Sequence, residues 1–109
     1  MNKFIYKIFF LLNLKKKIFP VIVQNLYKKK ILMIAWLNQW NLLESFFFKK
    51  TCFWSRSKKK NWRKGLFSNN IQLIKKMLFD CDIDSYLFIV NDNKKNCHYN
   101  LISCFNYNL

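Results

Sequence analysis

Every apolar run in this chain is short, and none approaches the ~20 residues that span a bilayer. Two of them, PVIVQ at 20–24 and ILMIAWL at 31–37, are rich in branched and aromatic residues and flank the polar stretch NLYKKK. That pattern predicts two strands joined by a turn, although the turn has no glycine. From Asn38 the period changes: Trp40, Leu43 and Phe47 recur at helical spacing, with Asn38 or Asn41 placed to cap, so one helix of about ten residues is expected. TCFWSR at 51–56 reads as a strand and SKKKNWRKG at 57–65 as a basic loop. IQLIKKMLF at 71–79, whose pattern is ambiguous, and SYLFIV at 85–90 also read as strands. Short strands with one helix imply a mainly β or α+β fold.

The 109 residues allow one domain, expected to span 18–105, with a variable extension at 1–17 and a short tail at 106–109. Apolar residues make up 52% of the chain and include 12 Phe, more than one small core can hide, so an apolar surface is expected against another chain, most simply a second copy. Lys and Arg outnumber Asp and Glu by 20 to 5, and the surplus lies entirely in residues 1–64. Such asymmetry suits a polyanion, a phosphate-bearing ligand or an anionic membrane surface. The composition also fits codon drift toward A and T, since 18 of the basic residues are Lys, Asn occurs 14 times, and Gly and Pro once each.

The opening MNKFIYKIFFLLNLKKK has a basic start and an apolar run, as a signal peptide does. Lys7 interrupts the run and no small-residue cleavage site follows, so a cytoplasmic protein with no membrane span is expected. In a reducing compartment the four cysteines are expected reduced or metal-bound.

Three of the five acidic residues, Asp80, Asp82 and Asp84, fall within the stretch FDCDIDSYLF. A calcium loop would need Gly and Glu where Ser85 and Asn91 stand. In an extended segment the three carboxylates share one face at roughly 6.6 Å steps, with Cys81 and Ile83 on the other. Their mutual repulsion is resolved by a hard divalent ion such as Mg²⁺, provided a bend or bridging water brings the outer pair together. The alternative is an exposed acidic turn neutralised by lysines.

Cys97 and Cys104 lie seven residues apart, with His98 beside the first and Cys81 sixteen residues upstream. Three thiolates can hold Zn²⁺ and leave a fourth position for a water whose pKa falls to about 7. His98, the single histidine, suits proton transfer. Buried reduced thiols are the alternative, and Cys52, in an aromatic strand, reads as core.

PVIVQ, LMIAWLN, FWSRS, NWRKG, DCDID, CH and SCF, in this order and at these spacings, resemble the phosphoribosyl-AMP cyclohydrolase family of histidine biosynthesis over residues 18–105. The resemblance implies a small domain with a folded mixed sheet and about one helix, assembled as an intertwined homodimer whose zinc ligands come from both chains. It implies hydrolytic opening of the adenine six-membered ring of phosphoribosyl-AMP, with Zn²⁺ and Mg²⁺ as cofactors. Carried over by motif, Cys81, Cys97 and Cys104 would hold zinc, Asp80, Asp82 and Asp84 magnesium, and His98 would move protons. Arg56, Lys64, Ser68 and Asn70 are candidates to hold the substrate phosphates, against a reading as solvated surface.

The chain departs from the family pattern at Leu66, Phe67, Ser68, Asn69 and Asn70, where Glu-Thr-Ser-Gly-Asn is usual, and at Tyr99 and Asn100, where Thr-Gly is usual. Lys17 and Ile18 replace a Gly-Leu turn. All the metal ligands survive, which favours a functional enzyme over a decayed one. Two rivals remain at this level. One is a small basic RNA- or DNA-binding module built on the KKK runs at 15–17, 28–30 and 58–60. The other is a structural zinc site closed by His98.

Overall fold

A computed structural model describes residues 18–65, 71–92 and 102–109. The extension at 1–17, together with Ser68, Asn70, Cys97 and His98, lies outside the described residues. Strands β1 (Phe19–Asn25) and β2 (Ile31–Leu37) form the expected antiparallel pair. The glycine-free turn between them is built by Asn25, whose Oδ1 accepts from the N–H groups of Tyr27 and Lys28 at 3.0 and 2.9 Å, and by Lys29 in the left-handed region at φ 55°. Pro20 sits in a central strand, yet the ladder to the neighbour on its other side begins only at Val21, so its missing N–H leaves no gap there.

Helix α1 (Gln39–Phe48) begins as expected, and both candidate caps are used. Asn38 Oδ1 accepts from Asn41 N at 2.8 Å while Asn41 Oδ1 accepts from Asn38 N at 2.9 Å, a reciprocal capping box. The helical stripe read from the sequence is not the buried one: Asn41, Leu42 and Ser45 face inward, whereas Trp40 and Phe47 are 61% and 57% exposed. The inner face is polar because it anchors backbone. Ser45 Oγ accepts from Cys52 N at 3.1 Å and donates to Cys52 O at 3.3 Å, fixing the start of β3 (Cys52–Ser55).

The expected basic loop at 57–65 holds a strand. Residues 56–59 and 64–65 form turns, and between them β4 (Lys60–Arg63) pairs back on β3 from Ser55↔Lys60 to Cys52↔Arg63. Lysine-rich sequence conceals an edge strand whose charged side chains stay in solvent while Trp62 lies against Phe53 with ring centroids 5.0 Å apart. Arg63 Nε and Nη2 donate to the two oxygens of Glu44 at 2.6 and 2.7 Å, pinning β4 to α1 and holding the Glu44 carboxyl below its usual range.

Strands β5 (Leu73–Phe79) and β6 (Tyr86–Asn91) form a third hairpin, and β6 runs parallel to β1, giving a mixed six-stranded sheet ordered β4-β3-β2-β1-β6-β5. The sheet curls until the segment before β3 meets β5: Ile74 N donates to Lys49 O at 2.8 Å and Thr51 N to Gln72 O at 3.2 Å. Phe19, Val21, Val23, Ala35, Leu37, Phe53, Phe88 and Val90 fill the inside. The outside carries an apolar row in register across four strands, Ile34, Ile22, Leu87 and Leu78. No helix among the described residues is long and apolar enough to cross a membrane.

Four described non-glycine residues have positive φ, three of them lysines: Lys29, Lys49 and Lys59. A side chain with a Cβ is disfavoured there by roughly 1–2 kcal/mol, partly offset by the greater freedom of glycine in the unfolded chain. Lys59→Gly is expected to stabilise the fold by about 0.5–1 kcal/mol. Lys58→Gly, the same charge change one residue away at ordinary φ, is expected to destabilise it; paired thermal melts check the difference.

Candidate metal and substrate site

The β5–β6 connection gathers the acidic residues. Asp80 N donates to Ser85 O at 3.1 Å, extending the ladder one row past Phe79↔Tyr86. Ile83 N then donates to Asp80 O at 3.0 Å and Asp84 N to Asp80 Oδ1 at 3.1 Å, so the chain doubles back. Ile83 takes φ 57°, a strained conformation for a β-branched residue, held by these flanking bonds. The bend that an extended reading lacked is therefore built into the turn, and it brings one carboxylate oxygen from each of Asp80, Asp82 and Asp84 within 4.8 Å of one another.

Electrostatics sharpen the cluster. The Asp84 N–H holds the Asp80 carboxyl below its usual range, so the charge persists at neutral pH. Around a hard cation with bonds of about 2.1 Å, neighbouring ligand oxygens sit about 3.0 Å apart and opposed ones about 4.2 Å. The three carboxylate oxygens, within 4.8 Å of one another, need close in only slightly to reach this spacing, and Asp80 and Asp82 are open to solvent for completing waters, so the donor set suits a hard divalent cation.

The thiols divide by environment. Cys52 is buried, accepts from Asn41 Nδ2 at 3.5 Å, and is pushed up to about 11 chiefly by burial, so it stays a thiol in the core as expected. Cys81, in the acidic turn, and Cys104 are exposed. Cys104 N donates to Leu32 O at 2.8 Å, and Ser103 Oγ to Ile31 O at 2.6 Å, which ties this segment to the start of β2. Cys81 lies beyond the end of the sheet where Tyr86 pairs with Val21; Cys104 lies at the other end, where Ile31 pairs with Gln24. Two strand spacings and two to three residues separate those anchors, roughly 12 Å, and Cys81 projects farther still.

Arg56 and Lys64 are also held apart, at opposite ends of the β3–β4 hairpin. The Arg56 guanidinium lies over the Trp36 ring, 4.2 Å from its centroid. Lys64 lines a cleft of about 350 Å³ together with Lys50, Thr51, Ile71 and the Glu44–Arg63 pair. Sequence reasoning passed over Lys50, which stood only within the general basic excess, and Arg63, which stood within NWRKG.

The family profile of phosphoribosyl-AMP cyclohydrolase matches residues 33–106. A phosphoribosyl-AMP cyclohydrolase from Hydrogenovibrio crunogenus is 43% identical over 86 residues, 79% of this chain and 58% of its own length. The proteins of that name from Chlorobium phaeobacteroides and Lacticaseibacillus paracasei are each 43% identical, over 91 and 84 residues, which are 84% and 77% of this chain. The chain spans 58% and 66% of the length of the first two and 76% of the third. A profile match over most of the chain and relatives 43% identical over more than three quarters of it show that the chain belongs to the phosphoribosyl-AMP cyclohydrolase family.

Proposed function

We propose that the chain hydrolyses the adenine ring of phosphoribosyl-AMP, in the third step of histidine biosynthesis, in the cytoplasm where thiols stay reduced. The observation that carries the reading is the placement of exposed Cys81 inside a turn whose three carboxylates converge. Water adds to the six-position ring carbon, the bond from that carbon to the substituted nitrogen breaks, and the nitrogen takes up a proton. Cys81, Cys97 and Cys104 would hold zinc, which when bound supplies an acidified water. Asp80, Asp82 and Asp84 would hold magnesium and orient the anionic substrate, and His98 would carry the proton.

The separation of Cys81 from Cys104 within one chain supports a zinc site shared between two copies. Charge supports the same arrangement. The turns at 26–30 and 56–59, carrying Lys28, Lys29, Lys30, Arg56, Lys58 and Lys59, project from the Cys104 end of the sheet, opposite the acidic turn. In a two-fold dimer that brings Cys104 of one copy to Cys81 of the other, basic turns approach carboxylates across the interface. Arg56 would then serve one substrate phosphate near the partner's metals, and Lys64, with Ser68 and Asn70, a second phosphate.

Adding phosphoribosyl-AMP to protein loaded with Zn²⁺ and Mg²⁺ is expected to give an absorbance change that chelation abolishes; no turnover in zinc-loaded protein would overturn the reading. Cys81→Ser and Cys104→Ser are each expected to lose turnover. Co-expressing the two should restore about one quarter of parental activity, since half the dimers are mixed and each mixed dimer has one intact site. No restoration would place all three thiols in one chain.

A further inference from the structure

The connection from α1 to β3 carries a cation, Lys50, that no reading above puts to use. Helix α1 ends at Lys49, whose positive φ turns the chain, and bonds from Ile74 N to Lys49 O and from Thr51 N to Gln72 O fix the backbone on either side of Lys50. Thr51 is buried and its hydroxyl donates to Gln72 Oε1 at 3.0 Å, whereas Lys50 is exposed and lines the cleft of about 350 Å³ between α1 and the end of β4. Lys64 lines the same cleft, its backbone N–H donating to Thr51 O at 3.4 Å. Glu44 is the one acidic residue of the described lining, and both its carboxylate oxygens accept from Arg63, so Lys50 and Lys64 stand as a surplus of two positive charges. Phe48 and Ile71 give the cleft an apolar side, where unlike charges attract more strongly than in open water. That combination matches a phosphate monoester, which carries close to two negative charges at neutral pH. The position of the cleft fits the same ligand. Gln72, which accepts from Thr51, donates from Nε2 to Met33 Sδ at 3.6 Å, and the neighbouring Leu32 O accepts from Cys104 N. The floor of the cleft is thereby tied to the segment that carries Cys104, while the seven residues of β5, roughly 23 Å, separate it from this chain's own acidic turn.

We propose that Lys50 is a substrate-binding residue, which with Lys64 makes a dianion subsite that takes one phosphate monoester of the substrate through charge-assisted hydrogen bonds. The inference rests on the reading of the chain as a hydrolase of phosphoribosyl-AMP. It adds that this phosphate is held by the copy that supplies Cys104, with the acidic turn coming from the partner.

The test is calorimetric titration of ribose 5-phosphate, with ribose as the control, into Arg56→Met protein, which lacks the cation assigned to the other phosphate. Adding Lys50→Met, which keeps the stem and removes the charge, is expected to weaken binding about ten-fold, and Lys50→Arg to keep it within about two-fold. Lys60→Met, the same charge change on an exposed residue outside the cleft, should leave it unchanged. In otherwise unaltered protein, Lys50→Met should raise KM for phosphoribosyl-AMP about ten-fold and keep kcat. Equal ribose 5-phosphate affinity with and without Lys50→Met would overturn the inference while leaving the hydrolase reading standing. A loss matched by Lys60→Met would also overturn it, by showing general charge attraction in place of a subsite. Binding that depends on Lys50 in protein that does not turn over phosphoribosyl-AMP would overturn the assignment of the subsite to this substrate, and the hydrolase reading with it.

Discussion

The parallel pairing of β1 with β6, from Val21 beside Tyr86 to Asn25 beside Val90, is the constraint on which the remaining geometry depends. Each half of the chain could form its hairpins locally: β1 with β2, β3 with β4, β5 with β6. Joining the halves requires closing a loop of some sixty residues, an entropic cost that only burial can offset. The inner faces supply that burial, since Val21, Val23, Tyr86, Phe88 and Val90 come together only when the two strands lie side by side. Asn25 fastens the far end, its Nδ2 donating to the Asp92 carbonyl. The same register fixes where the acidic turn and the exposed thiols lie. It sets the acidic turn and Cys81 off one end of the sheet and leaves Cys104, bonded to Leu32, at the other.

Local pattern made much of this legible. Branched residues bounded by polar stretches marked β1, β2 and β6, and two asparagines three apart marked the start of α1, because these signals act over a few residues. Two features were hidden for a common reason. β4 has one apolar residue, Trp62, and is held by Phe53 and by the Glu44–Arg63 bond; the inner face of α1 is polar because Ser45 and Asn41 serve backbone and side-chain partners on β3 and β4. Both depend on partners distant in sequence, which periodicity does not register. The acidic residues were legible as a group, and so was their need for a bend. The means was not, since it is a left-handed isoleucine at position 83, a residue no turn rule selects.

The lysines carry a similar lesson. Lys29 and Lys59 occupy turn positions where the backbone asks for glycine or asparagine, and neither position asks for charge. Part of the basic excess is thus a compositional bias tolerated at turn tips, where side chains reach solvent at little cost. A nucleic-acid module would instead be expected to set its cations among aromatic rings along one track. Here Arg56 lies over Trp36 in one place, Lys49 over Phe46 in another, and Lys64 beside Trp62 in a third.

Placement nevertheless gives the tolerated charge a consequence. The turns at 26–30 and 56–59, rich in lysine, project from one end of the sheet and the turn that holds three aspartates from the other. Two like ends would repel, whereas a two-fold arrangement that opposed unlike ends would also bring the separated thiols toward one another. The outer row of Ile34, Ile22, Leu87 and Leu78 lies between those ends and offers the apolar surface that charge alone does not supply for a lasting contact. Registry in such an assembly would come from electrostatics and cohesion from the row. A sheet too small to hold both metal ligands and substrate cations at one end would then complete its site from a second copy.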